Sequence, residues 1–191
     1  MKIRPATDAD RDAIWNIFHE IVTAGDTYAF DPGMSRDEAL AYWFAAGTHT
    51  YVAEQRAEPV GEAVSFVRAG LAHGTATPSP TVGAKNRPIL GTYILRANQA
   101  GPGSHVANAA YMVAQDARGL RVGRKMAEHS LSEARRFGFR AMQFNFVVST
   151  NASAIHLWQQ LGFKIVGTLP GAFCHPELGY VDVYVMFRSL L

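Results

Sequence analysis

The sequence predicts an α/β (α+β) fold in a single domain, a mixed and mostly antiparallel sheet flanked by helices. Three observations predict it. Apolar segments of strand period alternate along the chain with segments of helical period. RPILGTYILRA and HVANAAYMVA, joined across NQAGPGSH, read as an antiparallel hairpin. With 191 residues, 48% hydrophobic and 18% charged, the chain can bury one sizeable core without a metal or disulfide.

MKIRPAT reads as a strand, and Thr7 or Asp8 caps a helix whose apolar face is Ile14, Ile17, Phe18 and Ile21, ending at Gly25. DTYAFDPGMS is an aromatic loop. Ser35 and Glu38 form a capping-box signature for a second helix carrying Leu40, Trp43 and Phe44, and THTYVAEQ follows as a strand. Residues 55–88 are rich in Gly, Pro, Ser and Thr without clear periodicity and read as a loop insertion, although EPVGEAVSFV could form a strand.

After the hairpin, Val122, Met126, Ala127, Leu131 and Ala134 make the apolar face of a helix that stops at Gly138. In RAMQFNFVV, Met142, Phe144 and Phe146 should face one way and Gln143 and Asn145 the other. STNASAIHLWQQLGF is a capped helix closed by Gly162. FKIVGTL and YVDVYVMFRSLL are strands, with GAFCHPELG as the loop between them.

A net charge of +2 is too small to imply a nucleic-acid surface, and no run of eighteen apolar residues is present to span a bilayer. MKIRPATDADRDAI lacks an apolar signal-peptide core and Cys174 is the only cysteine, so a cytoplasmic protein is expected. A homodimer is compatible with the sequence. His105, His156 and His175 have no metal-ligand spacing with Cys174, so no metal is expected, and Cys174 reads as an exposed loop thiol.

QDARGLRVGRKMAEHSL sets Arg118, Arg121, Arg124 and Lys125 around two glycines where a helix begins. The free N–H groups and dipole of a helix start already favour an anion, so clustered cations there are mildly unfavourable unless a phosphate binds. The segment is neither a Lys-Ser/Thr phosphate loop nor a dinucleotide fingerprint. Alone, it reads equally well as an ordinary amphipathic helix with solvated arginines.

Together with NASAIHLWQQLGF, however, it resembles the signature of the GCN5-related N-acetyltransferase superfamily: a strand, R-G-x-G-x-G/A opening a helix, a second strand, then N-x-x-A-x-x-L-Y-x-x-L-G-F. Asn151, Ala154, Leu157, Leu161, Gly162 and Phe163 match the second motif. The resemblance implies two central strands splayed around acetyl-CoA as acetyl donor. Its pyrophosphate would lie on the amides of Arg118, Gly119, Leu120, Arg121, Val122, Gly123 and Arg124, and its pantetheine arm against the backbone of Tyr111, Met112 and Val113. Asn151 would either contact that arm or cap its own helix.

Two departures from the family pattern stand out. Arg121 replaces a glycine, so either the loop backbone is altered or a side chain adds a phosphate contact. Trp158 replaces a tyrosine that in many members protonates the departing thiolate, which an indole cannot do. Neither HVANAAYMVA nor RAMQFNFVV carries the carboxylate base common in the family.

HVANAAYMVAQDARG, FNFVVSTNASAIHLW and GYVDVYVMF further resemble the proline-analogue acetyltransferases that act on azetidine-2-carboxylate. That resemblance implies Asn108 and Asn145 as catalytic, substrate-holding residues: the Asn108 amide and the Asn145 N–H would hold the acceptor carboxylate. Alternatively, both asparagines satisfy backbone groups where the strands diverge. Tyr28 and Phe30 would wall the amine pocket, or serve as core. The expected partner is a small amine or imino acid. Alternatives are a phosphinothricin-like amino acid, a polyamine, a protein N-terminus, or a non-catalytic acyl-CoA sensor.

Overall fold

The computed structural model describes residues 1–56 and 87–191. The expected insertion over 55–88, with its EPVGEAVSFV strand, falls almost wholly outside the described residues.

Strand β1 (Lys2–Pro5) leads into the first helix through an ion pair. The Arg4 guanidinium grips Asp10 with two bonds of 2.7 and 2.8 Å, and the Thr7 N–H and hydroxyl donate to the same carboxylate at 2.7 and 2.9 Å. The predicted cap at Thr7 therefore opens a single 3₁₀ turn, Asp8–Asp10, before α1 (Arg11–Ala24) begins. Ile14, Ile17, Phe18 and Ile21 are buried as their spacing predicts, and Gly25 ends the helix at φ +66°, a conformation that favours glycine. The Ser35–Glu38 box starts α2 (Arg36–Trp43), and Phe44 lies just beyond its last turn.

Strands β2 (His49–Glu54), β3 (Ile89–Ala97), β4 (Val106–Val113), β5 (Ala141–Val148), β6 (Lys164–His175) and β7 (Gly179–Ser189) complete the described sheet. Helix α3 (Val122–Arg136) separates β4 from β5, and α4 (Ala152–Gln160) separates β5 from β6. Spatial order is β1-β2-β3-β4-β5-β7-β6, and every neighbouring pair is antiparallel except β4–β5. The fold is thus the predicted mixed, mostly antiparallel one.

Packing on β2 and β3 centres on Trp43, which is fully buried. Its indole N–H donates to the Thr92 hydroxyl at 3.0 Å, Thr92 donates to the Tyr51 carbonyl at 2.8 Å, and Thr50 donates to the Trp43 carbonyl at 2.6 Å. A large apolar ring can be buried there because each polar atom it carries has a partner.

Two expectations are corrected. GAFCHPELG is largely strand: β6 runs on to His175, past a register shift between Leu169 and Phe173, and only Pro176–Leu178 turn. Gly171 takes φ +58° within that irregularity, and Phe173 buries against Val148 and Val183, which repays the continued pairing. Cys174 is exposed as expected, but on a strand. In β5 a bulge between Phe144 and Val147 breaks the alternation, so Phe146 is exposed and Val147 takes the buried place after Phe144.

Candidate active site

Strands β4 and β5 run parallel for two residue pairs, Val106–Ala141 and Ala107–Met142, and then part. The Asn108 side-chain amide donates to the Gln143 carbonyl at 2.9 Å, one residue beyond the last pair on each strand. Past that point a cavity of about 1000 Å³ opens between the strands. The bulge in β5 sits beside it, so the splay follows from local backbone irregularity as well as from divergence.

Antiparallel strands offer successive backbone groups to opposite edges. Ala114 and Val106 bond β3-side partners, since the Ala114 N–H donates to Leu90 and Val106 accepts from Asn98. The odd-numbered residues Ala109, Tyr111 and Val113 therefore turn their N–H and C=O groups toward the cavity. At Tyr111 both are met by Tyr28, whose hydroxyl donates to the carbonyl at 2.5 Å and accepts from the N–H at 3.1 Å. Burial pushes the Tyr28 hydroxyl up to about 12, so it acts as a neutral group.

Met112 is a correction. Its backbone faces Thr92 across β3 and its side chain, 1% exposed, lies in the core, so it offers nothing to the cleft. Tyr111 and Val113 do line it.

Beyond β4 a 3₁₀ turn, Gln115–Ala117, leads to Gly119 at φ +82° and Arg121 at φ +58°. Arg121 thus takes the left-handed backbone that favours glycine, at a cost on the order of 1 kcal/mol. Among the described residues no side chain caps the start of α3. Arg118, Gly119, Arg121, Val122, Gly123 and Arg124 all line the cavity, whereas Leu120 is a second correction: it is 61% exposed and turns its N–H back to Ala117. Arg124 reaches Glu128 at 3.8 Å and Gln160, while Arg118 and Arg121 make no ion pair among the described residues. An uncapped helix start, two cations without counter-ions and a helical glycine at the wall fit a diphosphate group.

At the other end of β4 the amides form an array. Gln143 donates to Asn145 at 2.8 Å, and Asn145 donates to Asn98 at 2.6 Å. Tyr28 and Phe30 line the cavity, stacked at 5.7 Å, and Phe30 also packs on buried Phe18 at 5.1 Å, so the loop wall is joined to the core. Asn151 caps α4 by accepting from the Ala154 N–H at 3.1 Å, one of its two expected roles, and it also lines the cavity. Trp158 packs between Tyr111 and Phe144 at 5.0 and 4.6 Å.

Lining residues that escaped the sequence reading include Asp26, Tyr42 and Arg96. For Arg96 a signal existed, since the predicted hairpin sets it directly across from Asn108. Asp26 follows the helix-ending Gly25 and gave no periodic signal.

A parting pair of parallel strands whose inner backbone edge faces the cavity and is bridged at Tyr111 by the Tyr28 hydroxyl, with a cationic helix start at one end and an amide array at the other, is the architecture of an acyltransferase cleft. The chain belongs to the acetyltransferase (GNAT) family, whose model matches residues 14–163. It is 30% identical over 166 residues to the N-acetyltransferase aca1 of Schizosaccharomyces pombe, covering 86% of this chain and 72% of that protein. It also resembles the structure of a GCN5-related N-acetyltransferase from Kribbella flavida, at 39% identity and TM-score 0.80, over 98% of this chain and 96% of that one. The acetyltransferase yncA of Salmonella typhimurium, solved with acetyl-CoA, shares the fold at 22% identity and TM-score 0.74, over 100% and 94% of the two chains. The chain is an N-acetyltransferase of this family.

Proposed function

We propose that the enzyme acetylates the nitrogen of a small amino or imino acid, with L-azetidine-2-carboxylate as the representative acceptor. The observation that carries this is the side-chain amide array at the splay, where β4 and β5 supply Asn108, Gln143 and Asn145 and no carboxylate.

An asparagine amide has two N–H donors. Asn108 gives one to the Gln143 carbonyl, and the other would serve the acceptor carboxylate together with the backbone N–H of Asn145. Both residues then do structural and substrate-holding work at once. The thioester supplies the activated acetyl group, and the amine attacks it in neutral form. Neutral amides cannot remove a proton, so orientation is the main contribution of this part of the site. Trp158 offers no acidic proton to the departing thiolate. Cys174, exposed on β6, is not among the cavity lining, which supports direct transfer over an acyl-enzyme. The reading requires no nucleic acid, membrane or metal, sets the enzyme in the cytoplasm, and is compatible with a homodimer.

The test is CoA-thiol release across azetidine-2-carboxylate, proline, phosphinothricin-like amino acids, polyamines and a peptide N-terminus. Azetidine-2-carboxylate is expected to lead. Loss of a bond to a charged group costs roughly 1.5–3 kcal/mol, so Asn108→Ala should lower kcat/KM about ten- to a hundredfold with acetyl-CoA affinity retained. A parent enzyme that prefers a polyamine overturns the reading.

A further inference from the structure

Arg96 lines the acceptor end of the cavity on β3, in register with Asn108 on β4, so the two side chains share one face of the sheet. Among the described residues Arg96 makes no ion pair, although Arg4, Arg11, Arg36, Arg124 and Arg136 all do. Its guanidinium is nevertheless fixed. One nitrogen donates to the Tyr42 hydroxyl at 2.7 Å, and the group lies over the Tyr42 ring, 4.6 Å from its centroid. Tyr42 in turn packs edge-on against Phe30 at 5.1 Å.

A half-buried cation held in one orientation without a counter-ion is unfavourable unless a ligand brings the anion. Guanidinium has five N–H donors and Tyr42 takes one, which leaves a fork suited to a carboxylate. The phosphates of acetyl-CoA do not meet this need. The phosphate loop follows Val113, and the rise from Asn108 to Val113 along a strand is roughly 16 Å. The second anion must therefore belong to the acceptor.

Resting on the proposed amino-acid acetylation, we infer that Arg96, steadied by Tyr42, is the anchor for the acceptor's carboxylate and sets the preference for amino acids over uncharged amines. Asn108, across the ladder, then shares that carboxylate and orients the nitrogen.

The experiment compares azetidine-2-carboxylate with azetidine-2-carboxamide by thiol release, in the parent and in Arg96→Gln and Arg96→Lys. The parent should favour the acid. Arg96→Gln should lower kcat/KM for the acid roughly 10- to 100-fold, mainly through KM, leave the carboxamide within about threefold, and keep acetyl-CoA affinity unchanged. Arg96→Lys, which keeps the charge and loses the fork, should fall between. Tyr42→Phe retains the ring beneath the cation and should weaken acid binding by a smaller factor. If Arg96→Gln slows acid and carboxamide equally in a parent that prefers the acid, the anchor is wrong and amino-acid acetylation stands. If the parent prefers the carboxamide or a polyamine, both fall.

Discussion

The Tyr28 hydroxyl closes a two-bond bridge onto the backbone of Tyr111, occupying both its carbonyl and its N–H on the edge that faces the cleft. Those are the groups through which an amide-bearing ligand would pair with β4. The contact satisfies the strand and would compete with an acetyl-CoA that paired there.

Tyr28→Phe should separate these effects. Loss of hydrogen bonds worth about 0.5–1.5 kcal/mol should lower the Tm of the ligand-free enzyme, while acetyl-CoA binds several-fold more tightly because nothing has to be displaced. Thermal melts and titration calorimetry on the same samples read both. Weaker binding by the phenylalanine variant would show that Tyr28 assists the donor instead.

Gly123 gives the cleanest test of the phosphate wall. A Cβ at this position would meet only the Val113 and Leu157 side chains, at 3.7 and 4.0 Å, which is ordinary contact. Gly123→Ala should therefore fold with undiminished stability, as helix propensity favours it. Gly123→Asp should fold and yet lose the rise in Tm that acetyl-CoA confers, since it sets a negative charge where phosphate approaches. Retention of acetyl-CoA affinity in the aspartate variant would remove the anion-site assignment.

Arg121 carries opposing contributions. Arg121→Gly relieves the left-handed strain but adds unfolded-state entropy, so stability should lie between unchanged and about 1 kcal/mol higher. Acetyl-CoA should bind a few-fold less tightly, with a shallower dependence on salt. Chemical denaturation and titrations at two ionic strengths check this. A clearly destabilised variant contradicts the strain argument.

Acid should weaken the fold in two stages. Burial holds the His129 imidazole below its usual 6.5, against the opposing pull of Glu133, and its Nδ1 shares a hydrogen bond of 2.6 Å with the Tyr93 hydroxyl. The unfolded chain then binds the extra proton more readily, and stability present above 6.5 declines as pH falls below it. Hydrogen bonds from Arg136 and then Tyr51 hold the Glu133 carboxyl down to about 2, and Arg4 lowers Asp10, so a second decline should begin below about 4.5. Tm against pH for the parent and His129→Gln should show the first stage vanish in the variant. Persistence of that stage would assign it to another group.

Sequence period was enough for the elements whose burial is regular. Ile14, Ile17, Phe18 and Ile21 repeat at helical spacing because α1 packs one face on the sheet, and Ser35 with Glu38 marks its helix start by local hydrogen bonding. What the sequence could not reveal depends on irregular backbone. Phe146 alternates with Met142 and Phe144 in sequence, yet the bulge turns it outward. Met112 and Leu120 belong to the right segments, but strand edge and turn geometry decide which members of a segment reach a ligand. The hairpin sets Arg96 across from Asn108, but that it has no ion pair among the described residues is visible only once its neighbours are placed.

The brief pairing of β4 with β5 divides the sheet into two half-sheets along a seam. Val106 and Ala107 fasten one end of the seam to Ala141 and Met142, and the Asn108 amide makes the last stitch. Beyond it the inner-edge groups of Tyr111 are held by the Tyr28 hydroxyl. Acetyl-CoA pairing along that edge would act as a temporary strand as well as a reagent. Amide exchange at Ala109 and Val113 should slow when acetyl-CoA binds, while Ala110 and Met112, already paired with β3, stay as they were. Enzyme that has spent its acetyl donor would reopen that seam on each turnover.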